Sequence, residues 1–256
     1  MTPSFFGSSE APLFGVYHPP VGPGQRDVGV LLSYPGPQEY MRTHWAFRKL
    51  SAMLAKKGFH VFRFDYFGTG DSAGDSDEGR LSTWRANVNA AAQELRDIAA
   101  VTKVSAVGFR LGAALAATSG LSLTDLVLWE PVVDGRIYLG ELETIQVRHL
   151  ERNLHPPWRA MERPPELLGF PLPVALEEEL RGLNLLQEEP PKAARIAIMV
   201  SEDRPIFHDL HRSLARRAAN VTFHHVPEET VAPRSDELQA ALLSNSMLNA
   251  ITARLG

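Results

Sequence analysis

The amino-acid sequence predicts a doubly wound α/β protein, in which a mostly parallel sheet carries helices on both faces. Short apolar runs alternate along the chain with longer segments whose apolar residues recur at helical spacing. Several of the short runs are almost continuously apolar, which is typical of parallel strands buried on both faces. With 256 residues, of which 44% are hydrophobic, the chain is long enough to form one such domain around a single core.

The N-terminal half begins with a strand and then enters the alternation. A turn rich in proline and glycine closes that strand, and Gly58 is a typical helix stop. The expected elements are a strand at Leu13–His18, a buried strand at Val28–Tyr34, a helix containing Ala46, Phe47, Leu50 and Met53, a strand at Phe59–Phe64 and a helix that starts near Thr83.

The C-terminal half continues the same pattern. The helix that follows Arg110 is rich in alanine, and such a helix packs closely on a sheet. The expected strands are Val104–Phe109, Leu126–Trp129, Ile196–Val200 and Val221–Val226, and further helices are expected at Phe207–Ala218 and Asp236–Leu255.

One long segment, Val132 to Lys192, interrupts the alternation, because an ordinary connection between strands is far shorter. It combines prolines with amphipathic pieces at Glu143–Leu150 and Ala175–Leu186. Its many large apolar side chains argue against the alternative of a disordered linker. We therefore predict a helical cap at residues 132–192, inserted into a core made of residues 1–131 and 193–256. The apolar residues concerned are Leu139, Leu142, Ile145, Trp158, Leu167, Leu168, Phe170, Leu172 and Leu176.

Composition excludes several classes of function. Lys and Arg number 26 against 30 Asp and Glu, so a net charge of −4 leaves no basic surplus for nucleic acid. Without Cys there are no disulfides, no thiolate catalysis and no Cys-ligated metal centre, and we expect no cofactor and no metal. No apolar run approaches the ~20 residues that cross a bilayer, and the first residues do not resemble a secretory signal. We expect a cytoplasmic protein.

The sequence Gly108-Phe-Arg-Leu-Gly112 lies where a buried strand runs into the alanine-rich helix. This position and this glycine spacing are those of the Gly-x-Ser-x-Gly nucleophile elbow. The two glycines are needed because the strained turn tolerates no bulk two residues before or after its centre. Here the central residue is Arg110, whose guanidinium stays protonated at any working pH and is no nucleophile.

These motifs resemble the α/β-hydrolase superfamily over nearly the whole chain. Phe64-Asp-Tyr-Phe-Gly-Thr-Gly-Asp-Ser72 is similar to the Asp-x-x-Gly-x-Gly-x-Ser segment of its serine aminopeptidase and acyl-hydrolase branches. More narrowly, the chain resembles the exosortase-associated hydrolase-like proteins of bacterial exopolysaccharide gene clusters, whose members can also carry Arg at the elbow. This resemblance rests on His18-Pro-Pro, Gly108-Phe-Arg-Leu-Gly-Ala, Trp129-Glu-Pro-Val-Val-Asp-Gly and the piece from Gly169-Phe-Pro-Leu to Leu183. It implies the hydrolase fold, and an activity inferred from that fold.

The resemblance also implies where the acid and the base of a catalytic triad would lie. The acid is expected after the penultimate strand, at Asp203 or Glu202, or at the end of the strand after the elbow, at Glu130. The base is expected in the loop after the last strand, Pro227–Ser235, which contains no His. His224 comes too early, inside the expected strand. The chain thus lacks both the Ser and the His of a serine hydrolase.

Backbone N–H groups that hold an oxyanion in this fold correspond to Leu111 and to the segment from Pro35 to Gln38. The two prolines of that segment carry no N–H, so Gly36 or Gln38 would donate. The predicted ligand-binding residues are Gly36, Gln38, Leu111 and Asp134.

A buried arginine requires a compensating charge, and we expect Arg110 to pair with Glu130, Asp134 or Asp203. Three roles stay open for it. Arg110 either fills the space of a vanished triad, or binds a carboxylate or phosphate of a ligand bidentately, or assists a new reaction.

Other candidates are weaker. Ser33 and Ser72 fall on the expected active edge, but local hydrogen bonding explains hydroxyls in such positions. We expect His44 at the surface, and His208 with His211 on a solvated helix face rather than at a metal.

The sequence favours a hydrolase-like binding or accessory protein of a biosynthetic cluster, with a pocket under the cap for an acyl or small anionic ligand. Two other classes stay open. One is an esterase, thioesterase or acyltransferase that uses Glu130, Asp203, His224 and a serine. The other is a protein-interaction scaffold, in which the cap contacts a protein partner or a second copy of the chain.

Overall fold

The computed structural model describes residues 1–22, 24–153, 166–218, 220–227 and 245–256. Its strands are β1 (Thr2–Gly7), β2 (Pro12–His18), β3 (Val28–Ser33), β4 (His60–Phe64), β5 (Lys103–Phe109), β6 (Leu123–Trp129), β7 (Glu166–Leu167), β8 (Phe170–Pro171), β9 (Ala193–Val200) and β10 (Val221–His225). Its α-helices are α1 (Pro37–Lys56), α2 (Leu81–Ala99), α3 (Leu111–Thr118), α4 (Gly135–Asn153), α5 (Val174–Gly182), α6 (Pro205–Ala215) and α7 (Asn245–Leu255).

Eight of these strands form one mostly parallel sheet in the order β1-β2-β4-β3-β5-β6-β9-β10. In this sheet β2 runs antiparallel to both of its neighbours, β1 and β4, and the pairs from β4 through β3, β5, β6 and β9 to β10 are all parallel. Parallel neighbours need helical crossovers, which place helices over both faces of the sheet. The predicted doubly wound α/β class is confirmed.

The two faces of the sheet are covered by different helices. Gly29 of β3 faces Leu95 of α2, where an added Cβ would come within 2.7 Å of that side chain. On the opposite face, the ring of Tyr34, just after β3, stacks on Phe47 of α1 at 4.3 Å between centroids. Both α1 and α6 begin at a proline, which lacks the N–H that a helix start would leave unpaired.

The sequence prediction missed β1 and misplaced some boundaries. Thr2–Gly7 pairs with β2 at the edge of the sheet and buries little besides Phe6, so its apolar signal is short. The helix after β4 begins at Leu81, two residues before the expected Thr83. The helix expected at Asp236–Leu255 is described only from Asn245, and the preceding residues lie outside the described part of the chain.

Between β6 and β9 the chain forms α4, the two-stranded β7-β8 hairpin and α5. Helices α4 and α5 pack together, and Glu179 of α5 accepts a hydrogen bond from the Ser82 hydroxyl of α2 at 2.9 Å. Leu139, Leu142 and Leu176 are buried in the core cluster. The division into a core and a cap at residues 132–192 stays a prediction, and Trp158 lies outside the described residues. Among the described helices, none is both long and apolar enough to span a membrane.

Candidate functional site

The elbow turn is present, with Arg110 at its centre. Strand β5 passes into α3 through this residue, whose φ is 51° and ψ is −116°. A positive φ is strained for a residue with a side chain. The flanking glycines are required by contact, since a Cβ on Gly108 would lie 2.5 Å from Ala113 Cα and one on Gly112 would lie 2.1 Å from the Tyr34 carbonyl oxygen. The backbone of a nucleophile elbow is therefore preserved around a residue that is no nucleophile.

The side chain of Arg110 is held by two carboxylates. Its Nε donates to Glu39 Oε1 at 3.0 Å, and its Nη2 donates to Glu141 Oε2 at 2.8 Å. The guanidinium also lies over the Tyr138 ring, 5.2 Å from the centroid. Only 16% of the side chain is exposed. Arg110 is thus a largely buried cation that is paired with two carboxylates.

The two carboxylates tie the elbow to separate elements. Glu39, on the first turn of α1, is 1% exposed and also accepts a hydrogen bond from the Tyr138 hydroxyl at 3.0 Å. Glu141, on α4, accepts a second hydrogen bond from Arg204 Nη2 at 2.7 Å. We call Arg110, Glu39, Tyr138, Glu141 and Arg204 the elbow network. Its two arginines and two glutamates balance in charge.

The surroundings of the elbow network shift the pKa values of Arg110, Glu141 and Tyr138 so that the arginine and the glutamate stay charged and the tyrosine stays neutral. Burial alone would lower the pKa of Arg110, but the charges of Glu39 and Glu141 outweigh it and raise that pKa above its ordinary value. Burial would raise the pKa of Glu141, but hydrogen bonds from Arg110 and Arg204 hold it below its usual range. Burial and the neighbouring Glu39 charge raise the pKa of Tyr138 well above normal, so its hydroxyl stays protonated and donates.

The predicted pairing of Arg110 with Glu130, Asp134 or Asp203 is wrong, because each of these acids contacts other groups. Glu130 Oε1 accepts hydrogen bonds from the backbone N–H and the hydroxyl of Ser201, and burial raises the pKa of this carboxyl. Asp134 accepts from the N–H of Arg136 at 2.8 Å and so caps the start of α4. Asp203 contacts His208, and its side chain is 56% exposed. The two acids that hold Arg110 instead lie 71 residues before it and 31 after it.

The predicted ligand-binding residues Gly36, Gln38 and Leu111 do come together. A Cβ on Gly36 would lie 3.3 Å from Gln38 Oε1 and 3.4 Å from Leu111 Cδ2. Gln38 and Leu111 line an apolar cavity between α1, α2 and the α4–α5 pair. The other lining residues are Pro37, Trp84, Tyr138, Leu139, Leu142, Leu167, Leu172, Leu176 and Leu180. Asp134 lines a different cavity, beside Arg110 and Arg204.

Both cavities are small in this conformation. The apolar one measures about 10 Å³ and the one beside Arg110 about 20 Å³, which is room for about one water molecule each. Neither holds an acyl chain unless α4 or α5 moves.

The alternative nucleophiles are occupied. Ser33 is fully buried with its hydroxyl 2.6 Å from the Tyr66 hydroxyl, and Ser72 donates to the Asp65 carbonyl oxygen at 2.7 Å. His224 lies 3.0 Å from the Thr222 hydroxyl on the edge strand β10. Within the described residues, no cluster of three or more His, Asp or Glu side chains is arranged to hold a metal. The ring of His208 stacks on Phe223 at 4.6 Å rather than facing a site.

Sequence reasoning missed four members of the elbow network, but one left a signal. Glu39 falls on the helical stripe of Ala46, Phe47 and Leu50, and a carboxylate on the buried face of a helix needs a cation. Glu141, Tyr138 and Arg204 have no such signal, because their positions depend on how α4 and α6 pack.

Comparison with known proteins identifies the fold. No protein-family model and no curated protein matches the chain. An esterase of Pyrococcus furiosus superimposes with a TM-score of 0.65 at 17% identity, covering 99% of this chain and 88% of that one. The esterase Est1E of Butyrivibrio proteoclasticus, solved with ferulic acid, gives 0.67 at 13% identity, covering 98% and 96%. The chain has the α/β-hydrolase fold.

A third match bears on how varied the proteins of this fold are. A bottromycin epimerase, solved with bottromycin A2, superimposes with a TM-score of 0.60 at 17% identity and covers 100% of this chain and 98% of that one. At these identities the comparisons concern architecture, and function has to be argued from the site.

Proposed function

We propose that this α/β-hydrolase-fold protein has lost serine-hydrolase chemistry and acts as a binding or accessory protein for an apolar, acyl-type ligand. The observation that carries the proposal is the ion-paired Arg110 at the elbow, where the nucleophile would stand. The resemblance of the sequence supports an accessory role in a cytoplasmic biosynthetic pathway for a polysaccharide or related product.

Acyl transfer needs a nucleophile and a base, and the residues at the expected positions of these two roles do not supply them. Arg110 cannot attack a carbonyl, because its guanidinium is charged and donates to Glu39 and Glu141. The loop that would carry the base has no His in its sequence from Pro227 to Ser235. The hydroxyls of Ser33 and Ser72 already form internal hydrogen bonds.

The lining of the apolar cavity favours an acyl chain over an anion. Seven leucines, together with Trp84 and Pro37, form most of its wall, and such a wall binds by burial of apolar surface. Arg110 offers little attraction to an anion, because two carboxylates already neutralise it. An acyl ligand would enter after α4 and α5 separate from α1, so binding is coupled to the opening of that part of the fold.

Two measurements test the loss of chemistry. Purified protein is expected to turn over none of a panel of acetyl to decanoyl esters and thioesters, and to take no label from a fluorophosphonate probe. Arg110→Ser is expected to remain unlabelled, because a serine without a base is not activated. Circular dichroism confirms that the variant is folded. Reproducible turnover or labelling of either protein would assign the chain to the acyl-transferring enzymes instead.

Calorimetry with a matched ligand pair tests the binding role. Methyl decanoate and decanoate share a chain and differ in charge, and we expect the ester to bind at least as tightly as the acid. Leu176→Phe adds a ring to the cavity wall and is expected to weaken binding about tenfold, whereas Val174→Phe on the same helix, at a position 72% exposed, leaves it unchanged. A tenfold preference for decanoate would indicate an anion site and contradict the acyl proposal.

A further inference from the structure

The outer face of α1 is unusual in this acidic protein. Its exposed residues are Met41, Arg42, Trp45, Arg48, Ala52 and Lys56, so every one of them is either apolar or basic. The acid of this helix, Glu39, is buried in the elbow network. Since the whole chain carries a net charge of −4, this face concentrates positive charge against the general trend.

Two large apolar side chains lie in the N-terminal half of that face. Met41 is 76% exposed and Trp45 is 54% exposed, one turn apart on the helix. Lys49 extends over the Trp45 ring, 5.0 Å from its centroid. The face thus places two exposed large apolar groups next to each other among basic side chains.

Two basic side chains of this face, Arg42 and Arg48, make no ion pair with any residue of the described part of the chain. They project from a helix whose other face is buried. A helix face that combines tryptophan and methionine with basic side chains is typical of binding to an anionic lipid layer.

We infer that the outer face of α1 binds an anionic lipid surface. Arg42, Arg48, Lys49 and Lys56 would contact headgroup phosphates or carboxylates, each basic side chain adding to the attraction. Trp45 and Met41 would enter the headgroup layer, the depth that tryptophan prefers in membranes. This is peripheral binding through one helix face and requires no membrane-spanning segment.

The outer face of α1 lies near the apolar cavity but does not line it. Trp45 lies about 10 Å along the helix from Gln38, which lines the apolar cavity, given the rise per residue of an α-helix. A docked protein would therefore hold that cavity near the lipid. The lipid-binding inference stands whether or not the cavity takes an acyl ligand, because it rests on the exposed face alone.

Vesicle co-sedimentation tests the inference. The full chain is expected to bind vesicles of phosphatidylcholine with 30–40% phosphatidylglycerol (roughly that of an anionic leaflet), to bind pure phosphatidylcholine weakly, and to be released by about 0.5 M salt. Arg42→Glu with Arg48→Glu is expected to weaken binding at least about tenfold. Trp45→Ala is expected to weaken it several-fold and to abolish quenching by brominated lipid.

Matched controls exclude a general effect of charge or surface apolarity. Lys103→Glu with Arg212→Glu makes the same change in net charge at exposed positions on β5 and α6, and Val174→Ala removes an exposed apolar group on α5. These controls are expected to bind like the parent protein. Equal losses in the controls, or no binding to anionic vesicles, would overturn the inference. Binding of polyglutamate but not of vesicles, sensitive to Arg42→Glu with Arg48→Glu, would assign the face to an acidic protein and also overturn it.

Discussion

Arg110 lies at the centre of a turn whose backbone resembles that of a nucleophile elbow. The turn runs through a positive φ, and its flanking glycines are required by the Tyr34 carbonyl and by α3. The Arg110 side chain lies against Glu39 and Glu141. A buried pair of this kind matters most when one partner is removed, because the other then stays buried and uncompensated.

Arg110→Ala is therefore expected to lower the free energy of unfolding by about 3 kcal/mol, since it leaves Glu39 buried with only the Tyr138 hydroxyl. Adding Glu39→Gln in the same chain is expected to recover most of that loss. Arg181→Ala is the matched control, because its pair with Glu177 is solvent-exposed and its removal is expected to change the free energy of unfolding little. Urea unfolding measures all of these. If the single substitution and the control had equal effects, Arg110 would not carry a buried charge pair.

Glycine has a different structural role in the elbow and in α4. Gly112, in the first turn of α3, lies against backbone atoms, whereas Gly140 lies within α4 and an added Cβ there would have no atom within 4 Å. Gly112 is needed because the backbone of the neighbouring strand end approaches α3 closely. Gly140 has no such contact and only increases the conformational entropy of the unfolded chain.

Gly112→Ala is expected to cost about 3 kcal/mol or more, because its Cβ would overlap the Ser33 and Tyr34 carbonyls. Gly140→Ala is expected to stabilise the protein by about 0.5 to 1 kcal/mol through helix propensity. Thermal and urea unfolding compare both with the parent. A tolerated Gly112→Ala would mean that the elbow backbone is less tightly packed than the structure shows.

Across the whole molecule, the elbow network joins α1, the elbow, α4 and the loop before α6. Glu141 connects α4 to this network, since it lies on that helix and receives hydrogen bonds from both Arg110 and Arg204. Separation of α4 from the sheet would break both bonds. We therefore expect the network to act as a latch that holds α4 over the apolar cavity, and protonation of Glu141 to weaken it.

The stability that Glu141 contributes to this latch depends on pH in a definite direction. The pKa of Glu141 in the folded protein is below its ordinary value, so its stabilising effect is fully present above the unfolded pKa and is lost as pH falls through the folded one. Glu141→Gln is expected to destabilise the protein by about 1 kcal/mol near pH 7, since the pair is partly exposed. This difference is expected to shrink below about pH 4.5. Urea unfolding from about pH 3.5 to pH 7 measures it, and a difference independent of pH would contradict the latch.

The sequence predicted the fold well because its signals are local. Buried parallel strands such as Val28–Ser33 and Lys103–Phe109 are nearly continuous apolar runs. Such runs are buried whichever helices cover the two faces of the sheet, so the sequence alone indicates them. Edge strand β1 has one buried side chain in six and was missed for that reason. Gly36, Gln38 and Leu111 lie close together, because the carboxyl ends of parallel strands meet at one edge of the sheet, and their role in ligand binding stays a prediction.

What the chain order alone settles is the class of the fold and the turn at Gly108–Gly112 with Arg110 at its centre, since each depends on residues close together in sequence. The partners of Arg110 were decided only in three dimensions. Glu130, Asp134 and Asp203 were plausible by strand order, yet the direction of each side chain and the packing of α1 and α4 brought Glu39 and Glu141 to the guanidinium instead. Pairing between distant residues follows from how helices seat on a sheet, and no local pattern encodes that seating.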